Sequence, residues 1–169
     1  MNISVTKIDG SREPYNADKI NRAIEVATRG LDDQIQKVVQ IASELSLTLF
    51  DGITTRQLDE AAINAALQNV KDDPDYDTVA ARLLLKTIYK QVLGDYETYD
   101  DLLKLHQSEF PNYIKSAVKD GLLDKRMADS NVFDLKKLAS VLDPSRDGLS
   151  KYLGVITNRN RYALRMNSG

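Results

Sequence analysis

The sequence predicts a mainly α-helical protein whose chain opens with a β-hairpin. Near the N-terminus, two short extended runs flank Asp9-Gly10, and an Asp-Gly pair between such runs is a strong hairpin signal. After residue 16, apolar residues recur at helical spacing in four successive segments, as they do in amphipathic helices. Because the connections between these segments are mostly short, we expect the four helices to form a compact bundle, with the hairpin as a lid across one end.

The first two predicted helices cover residues 17–29 and 34–49. Asn16 stands at the N-cap position of the first helix, and Gly30 offers it a C-terminal stop. Apolar residues at helical spacing define the face that each helix is expected to bury. These residues are Ile20, Ala23, Ile24 and Ala27 in the first helix, and Ile35, Val38, Val39, Ala42 and Leu45 in the second.

The third and fourth predicted helices are separated by the run Asp72-Asp73-Pro74-Asp75, because proline interrupts a helix. Thr54 or Thr55 can cap the third helix, and the fourth extends from about Tyr76 to Leu93. The expected inward residues are Leu58, Ala61, Ala62, Ala65 and Ala66 in the third helix, and Val79, Ala80, Leu83, Leu84, Thr87 and Ile88 in the fourth.

The character of the chain changes after Gly94. An acidic and aromatic connector covers residues 95–101. Further helical patterns cover residues 102–106, 113–123 and 133–142, a turn cluster covers 143–148, and residues 152–166 are in part strand-like. The sequence therefore predicts two segments, 1–94 and 95–169.

Composition narrows the possible functions. The chain has 169 residues, a formal net charge of −2, no cysteine and a single histidine, His106. These values disfavour a DNA-binding surface, and they exclude disulfides, cysteine-based metal sites and thiol catalysis within this chain. No apolar run reaches the ~20 residues that span a bilayer, and the N-terminus does not resemble a secretory signal. We therefore expect a cytoplasmic protein without nucleic-acid or membrane partners.

Two lysines near the N-terminus suggest an anion site. The predicted strand, turn, strand and capped helix bring Lys7 and Lys19 close to a helix N-terminus. Cations beside free backbone N–H groups can bind an anion such as a nucleotide phosphate. A surface hairpin with two solvated lysines explains this pattern equally well when it is taken alone.

Several motifs occur together in the chain. They are the Val5-x-Lys7-x-Asp9-Gly10 hairpin, a strand ending near Asn16, the helix start Asp18-Lys19-Ile20, the segment Asp51–Leu58, and the run Ala80–Leu85 after a tyrosine. In this order and spacing the chain resembles the ATP-cone, the regulatory nucleotide-binding module at the N-terminus of many ribonucleotide reductase large subunits. The resemblance implies that residues 1–94 are an ATP-cone, with its hairpin lid on a four-helix bundle.

Residues 95–169 resemble the helical segment that joins the ATP-cone to the catalytic barrel of the same reductases. Phe133-Asp134-Leu135, Leu142–Asp147 and Tyr152-Leu153-Gly154 carry this resemblance. It implies an incomplete helical linker that leads toward a catalytic barrel missing from this chain. Because the catalytic cysteines of the family lie beyond this endpoint, the segment is expected to belong to an enzyme but to be inactive by itself.

The function that the resemblance implies is allosteric. ATP or dATP, together with Mg²⁺, is expected to bind the cone and to regulate the reduction of ribonucleotides to deoxyribonucleotides. The implied partners are the remainder of the large subunit in the same or a separate chain, the reductase small subunit, and further copies of this chain. The alternative is a helical assembly module with a degenerate ATP-cone that no longer binds nucleotide. A cone-containing transcriptional repressor is disfavoured, since the chain has no cysteine for a zinc ribbon.

The resemblance also implies a set of nucleotide-binding residues, without catalytic residues or protein metal ligands. The set consists of Val5, Lys7, Glu13, Asn16, Lys19, Ile20, Thr55 and Lys90. Its lysines are expected to contact the triphosphate, and its Glu and Asn side chains to approach the nucleoside.

Most of these positions also have a purely structural interpretation. Lysines are commonly solvated surface residues, Asn16 and Thr55 can serve as helix caps, and Ile20 lies on an apolar stripe. Outside the set, Arg82 is expected to pair with a carboxylate of the bundle.

Two residues depart from the family pattern. Ile8 stands where the family often has a basic residue, and Asp59 stands where some members have a histidine. An acidic side chain near phosphates is unfavourable unless a cation such as Mg²⁺ lies between them. Three consequences of these departures stay open: a weaker affinity, an altered preference between ATP and dATP, and a cone that has lost regulation. The same two residues are the support for the alternative of an assembly module.

Overall fold

The computed structural model describes residues 3–96 and 98–164, and this part of the chain is mainly helical, as predicted. It contains three short strands: β1 (Ser4–Thr6), β2 (Arg12–Pro14) and β3 (Ile53–Thr54). It contains seven α-helices: α1 (Ala17–Thr28), α2 (Gln34–Ser46), α3 (Thr55–Gln68), α4 (Asp75–Leu93), α5 (Tyr99–Lys119), α6 (Leu135–Ser140) and α7 (Tyr152–Thr157). The same part of the chain also contains two 3-10 turns (Lys125–Ala128 and Pro144–Leu149) and one π-helical turn (Asn158–Tyr162).

The contacts divide the chain into two compact units. The first unit comprises Met1–Thr87 with Ser150–Ile156, and the second comprises Ile88–Leu149 with Thr157–Gly169. Within residues 3–96 and 98–164, no helix is both long enough and apolar enough to cross a membrane.

The predicted hairpin is present in the first unit, and it belongs to a three-stranded sheet. β1 pairs with β2 in antiparallel register, Val5 opposite Glu13, and the turn between them closes with a hydrogen bond from the Gly10 N–H to the Lys7 carbonyl. Gly10 has a φ of 81°, which is why a residue without a Cβ suits this turn. On its other side, β1 pairs in parallel with β3, so that β1 is the central strand. The sequence did not predict β3, because two residues are too few to show a strand period.

A small apolar cluster anchors the sheet to α3. Val5, Ile53 and Leu58 are buried together, one each from β1, β3 and α3. Tyr15, Ile20 and Leu49 pack against them while remaining partly exposed. The position of the hairpin therefore depends on contacts with β3 and α3, which are distant from it in sequence.

The predicted inward face of α1 is confirmed at two positions, and that of α2 is correct at Leu45 but wrong at Ile35 and Val39. Ile24 and Ala27 of α1 are buried. On α2, however, Ile35 is 81% exposed and Val39 is 63% exposed. The buried residues of this helix are Lys37, Ile41 and Leu45. The apolar pattern failed because a lysine with ionic partners occupies one of the inward positions.

Arg82 of α4 binds carbonyl oxygens rather than the carboxylate that the sequence suggested. Its Nη1 donates to the main-chain oxygens of Ala27 and Arg29, each at 2.9 Å. These carbonyls lie at the C-terminal end of α1, where no intrahelical donor is available and where a cation is favoured by the helix dipole. Arg82 therefore ties α4 to the end of α1.

Replacing Arg82 with methionine is expected to lower the free energy of unfolding by about 2 kcal/mol. The substitution keeps the apolar stem and leaves two carbonyls, one half-buried and one exposed, without their charged donor. Urea unfolding followed by circular dichroism measures the loss. As a control, Arg56→Met removes an exposed arginine that pairs with Glu60 on the same helix, and it is expected to change stability by less than about 0.5 kcal/mol. Equal effects of the two substitutions would contradict the role given to Arg82.

The second unit is organised around α5. This helix starts with a capping box between Thr98 and Asp101, and it continues through Pro111 rather than splitting into two helices. It packs against α6 and against the 3-10 turn at Lys125–Ala128. Of the predicted connector at 95–101, Glu97 lies outside the described residues.

The strand-like assignment within residues 152–166 is wrong. This region forms α7 and the π-helical turn, while Arg165 and Met166 lie outside the described residues. The β-branched run Val155-Ile156-Thr157 produced the strand signal, but Val155 is buried as part of a helix. Strand propensity is a weak guide where tertiary packing decides the conformation.

Candidate functional site

Two lysines and one glutamate meet where the hairpin adjoins α1. Lys7 Nζ lies 2.9 Å from Glu13 Oε2, and Lys19 Nζ lies 3.0 Å from Glu13 Oε1. The exposed fractions of these side chains are 44% for Lys7, 65% for Lys19 and 30% for Glu13. These three residues, which we call the Glu13 cluster, are thus ordered by ion pairs and also open to solvent.

Local structure explains how residues from three elements reach the same place. Glu13 lies opposite Val5 in the β1–β2 register, and Lys7 is two residues beyond Val5, hence on the same side of an extended chain. Asn16 caps α1 by accepting a hydrogen bond from the Asp18 N–H at 2.9 Å. This cap starts α1 at Ala17, so that Lys19 lies in its first turn, from which its side chain reaches back to Glu13.

The electrostatics of the Glu13 cluster favour anions. Hydrogen bonds from Lys7, and then from Lys19, hold the pKa of the Glu13 carboxyl below its usual range. Glu13 is therefore ionised at neutral pH, and two ammonium groups face one carboxylate. These three side chains together carry one positive charge on a surface that a ligand can reach, and the Asp9 carboxylate in the turn also interacts with Lys7.

Val5 and Ile20 lie beneath this surface. Val5 is 4% exposed, and it pairs with Glu13 on one side and with Ile53 on the other. Ile20 is half-buried and packs against the cluster that Val5 forms with Ile53 and Leu58. Both side chains therefore contribute to the apolar core, as the structural interpretation of Ile20 proposed.

Thr55 lies at the N-terminus of α3, beside the hairpin. Thr54 pairs with Thr6 in the parallel β1–β3 register, so Thr55 and Lys7 each follow the same end of two neighbouring strands. The cap of α3 is Thr54, whose Oγ1 accepts from the Gln57 N–H at 3.2 Å while the Gln57 side chain accepts from the Thr54 N–H at 2.9 Å. The expectation that Thr55 acts as a helix cap is therefore wrong.

Lys90 belongs to the second unit. Its Nζ lies 3.0 Å from Asp95 Oδ1, and its side chain is 61% exposed. A role for Lys90 in the predicted site remains a prediction that depends on the family resemblance alone.

The two residues that depart from the family pattern occupy different environments. Ile8 is 94% exposed in the turn of the hairpin. Asp59 is half-buried in the second turn of α3. An exposed isoleucine at a hairpin tip contributes little to the stability of this unit.

The contact that aligns β3 with β1 was not predicted from the sequence. Asp51 Oδ1 accepts hydrogen bonds from the Ser4 N–H at 2.8 Å and from Ser4 Oγ at 2.7 Å, and the Gly52 N–H donates to the Ser4 carbonyl. This contact brings the N-terminus of α3 next to the hairpin. No local signal could have revealed it, because Ser4 and Asp51 are separated by 47 positions.

Comparison with known families gives a match over the N-terminal half of the chain. The profile of the ATP cone domain family matches residues 3–91. This range contains all eight residues of the predicted site.

Comparison with curated proteins gives similarity to ribonucleotide reductase subunits. The chain is 29% identical to ribonucleoside-diphosphate reductase 1 subunit alpha of Escherichia coli K12 over 167 residues, which are 96% of this chain and 20% of that protein. It is 30% identical over 164 residues to the alpha subunit of Helicobacter pylori 26695, covering 96% of this chain and 19% of that one. It is 33% identical over 122 residues to the alpha subunit of Chlamydia pneumoniae, covering 72% and 11%. The chain thus spans a fifth or less of the length of these relatives.

Proposed function

The chain belongs to the ATP-cone family, and we propose that residues 1–94 bind ATP or dATP as an allosteric effector. The observation that carries this proposal is the Glu13 cluster, in which two lysines from separate elements converge on one carboxylate. Ammonium groups held together on an exposed surface provide the donors and the charge that a triphosphate requires.

The proposed roles follow from the chemistry of each position. Lys7 and Lys19 bind phosphate oxygens, and Thr55 adds a hydroxyl donor at the N-terminus of α3, where anions are favoured. Glu13 and Asn16 approach the nucleoside, for which their oxygen atoms can accept hydrogen bonds. The remaining members of the proposed set are Val5 and Ile20 as an apolar wall and Lys90 as a further phosphate contact.

Mg²⁺ is proposed to accompany the nucleotide. The half-buried carboxylate of Asp59 lies in α3 four residues after Thr55. A divalent cation between this carboxylate and the phosphates would convert a repulsion into an attraction, since Mg²⁺ prefers oxygen ligands from carboxylates and phosphates together.

We further propose that the chain is the allosteric part of a ribonucleoside-diphosphate reductase large subunit that acts in the cytoplasm. Similarity to reductase alpha subunits over 96% of the chain supports this assignment. Residues 95–169 are then the helical region leading to the rest of that subunit, in the same or a separate chain. The catalytic reaction would belong to the assembled enzyme, since this segment has no cysteine.

Regulation then requires that the nucleotide favour one quaternary state over another. The proposed partners are the remainder of the large subunit, the small subunit and further copies of this chain. A differential binding free energy of ~1–3 kcal/mol between two assemblies is typical of such coupling. Discrimination between ATP and dATP can arise from the single 2′-hydroxyl, if a polar group of the site depends on it.

Calorimetric titration with ATP and with dATP in the presence of Mg²⁺ tests the binding proposal. We expect saturable binding by the wild type, and a loss of about tenfold or more in affinity for Lys7→Ala and for Lys19→Ala, since each removes a charged donor to phosphate. Lys90→Ala tests the contact inferred from resemblance. Lys71→Ala, which removes an exposed lysine from the loop between α3 and α4, is the matched control and should leave the affinity unchanged.

The alternative function is a helical assembly module that binds no nucleotide. Its specific support is Ile8, an apolar residue that is 94% exposed at the tip of the hairpin. Absence of binding heat with both nucleotides would favour this module and would refute the effector site.

A further inference from the structure

The carboxylate of Glu13 uses both of its oxygens on the lysines that are proposed to bind phosphate. Oε2 contacts Lys7 at 2.9 Å, and Oε1 contacts Lys19 at 3.0 Å. An anion from the protein itself, the Glu13 carboxylate, therefore lies between the two ammonium groups.

We propose that Glu13 is an internal counter-anion that makes the site selective for nucleoside triphosphates over bare polyphosphates. A bare polyphosphate must separate Glu13 from both lysines, and it has no hydroxyl or amino group that could donate a hydrogen bond to the carboxylate. A nucleotide separates the same contacts but brings hydroxyl and amino donors that Glu13 can accept. This inference depends on the proposed function, because it concerns the same site.

Repulsion between the Glu13 carboxylate and a bound phosphate is the reason that the Glu13 side chain must move. An ammonium group has three donor hydrogens, so Lys7 and Lys19 could each contact Glu13 and a phosphate oxygen together as far as geometry is concerned. The carboxylate, however, would then lie within a few ångströms of a multiply charged anion, and like charges at that separation repel strongly. Binding of phosphate therefore favours movement of the Glu13 side chain away from the lysines.

The position of Glu13 allows such a movement. It lies on β2, which is an edge strand of the sheet, and its side chain is 30% exposed. Its neighbours Arg12 and Pro14 are exposed as well, so a new side-chain conformation does not disturb the apolar core. The lowered pKa of the Glu13 carboxyl reflects the two lysine contacts, which are the interactions that a phosphate must replace.

Lys37 provides a useful contrast within the same unit. It also pairs with carboxylates, but its side chain is only 3% exposed, and it additionally donates to the main-chain oxygen of Asp32. The ammonium group of Lys37 is therefore buried, although its partner Asp73 is 38% exposed. The Glu13 cluster differs because both lysines are accessible to a ligand.

The test compares two ligands on one matched pair of variants. Wild type, Glu13→Gln and Glu25→Gln are titrated calorimetrically with ATP and with inorganic tripolyphosphate, at constant Mg²⁺ and ionic strength. Glu13→Gln removes the internal anion while keeping the size of the side chain. Glu25→Gln makes the same charge change at an exposed position on α1, and so corrects for the effect of net charge.

We expect Glu13→Gln to bind tripolyphosphate about fivefold more tightly than the wild type, since two exposed ion pairs no longer compete. The affinity of Glu13→Gln for ATP should rise by a smaller factor or should fall, because the carboxylate acceptor is absent. The ratio of ATP affinity to tripolyphosphate affinity therefore falls in Glu13→Gln and is unchanged in Glu25→Gln. An unchanged ratio in Glu13→Gln overturns the inference, even if both ligands bind more tightly.

A second measurement uses the wild type and does not depend on the folding of a variant. The pKa of the Glu13 carboxyl, followed by carbon-13 NMR, should rise toward its ordinary value when tripolyphosphate saturates the site. A pKa that stays low in the complex means that the lysine contacts persist, which overturns the inference.

The two proposals fail in different ways. If the wild type binds ATP but the ratio does not change in Glu13→Gln, only the inference about Glu13 fails. If the wild type binds neither ligand, the proposed effector site fails and the inference fails with it.

Discussion

Replacing Lys37 with methionine is expected to lower the free energy of unfolding by about 3 kcal/mol at pH 7. The Lys37 side chain is 3% exposed, and its Nζ lies 2.6 Å from Asp73 Oδ2 and 2.7 Å from the Asp32 carbonyl oxygen. Methionine preserves most of the volume but leaves both acceptors without this donor. This expected loss is small for the breaking of a buried ion pair, because Asp73 is 38% exposed and water can partly replace the lysine.

The effect of this substitution should depend on pH at both extremes. The hydrogen bond from Lys37 lowers the pKa of Asp73 from 3.8, so the stability that Asp73 contributes is present above pH 3.8 and is lost as the pH falls through the lowered pKa. The same bond raises the pKa of Lys37 from 10.5, so its contribution is present below pH 10.5 and is lost as the pH rises through the raised pKa. The difference between wild type and Lys37→Met should therefore be largest between these limits.

Urea unfolding of both proteins at several pH values measures this difference. Lys71→Met is the control, since Lys71 is exposed, and it should change stability by less than about 0.5 kcal/mol at every pH. Two further groups face Lys37, namely the Asp75 carboxylate at 3.8 Å and the Tyr76 ring at 5.6 Å, and both remain in the variant. If Lys37→Met is as stable as the wild type, the buried pair contributes no more than apolar packing would.

The sequence predicted the helices of the first unit because their signals are local. Asn16 caps α1, and Thr54 with Gln57 forms the capping box of α3, each within a few residues of the helix start. On α2 the prediction holds for Leu45 but fails for Ile35 and Val39. Apolar periodicity assigns a lysine to the surface, and only the tertiary structure reveals the partners of Lys37. The two residues of β3 could not be predicted, since their pairing depends on contacts with the distant hairpin.

The candidate site was predicted as a set of residues but not as an arrangement. The hairpin and helix pattern predicts Lys7 and Lys19 as an anion site, and the family resemblance adds Glu13 on the side of the nucleoside. Their mutual ion pairs depend on the β1–β2 register and on the exact start of α1, neither of which is set by residue identity alone. For the cap of α3 the Thr-Thr pair offers two candidates in the sequence, and only the structure selects Thr54.

Ile53→Ala is expected to lower the free energy of unfolding by about 3 kcal/mol, because it leaves a cavity at a buried position. Ile53 is 2% exposed, pairs with Val5 across the β1–β3 register, and packs against Leu58 of α3. Since it holds both the strand that precedes Lys7 and the helix that begins at Thr55, its loss should also weaken ATP binding.

Ile24→Ala separates these two effects. Ile24 is fully buried in α1, so the same truncation should destabilise the unit to a similar extent, but Ile24 lies outside the cluster that anchors the sheet. Urea unfolding at several temperatures first identifies a temperature at which both variants are folded. Calorimetric titration with ATP is then carried out at that temperature. We expect a several-fold loss of affinity in Ile53→Ala and a near-normal affinity in Ile24→Ala. Equal affinities in the two variants would mean that β3 stabilises the fold without positioning the nucleotide site.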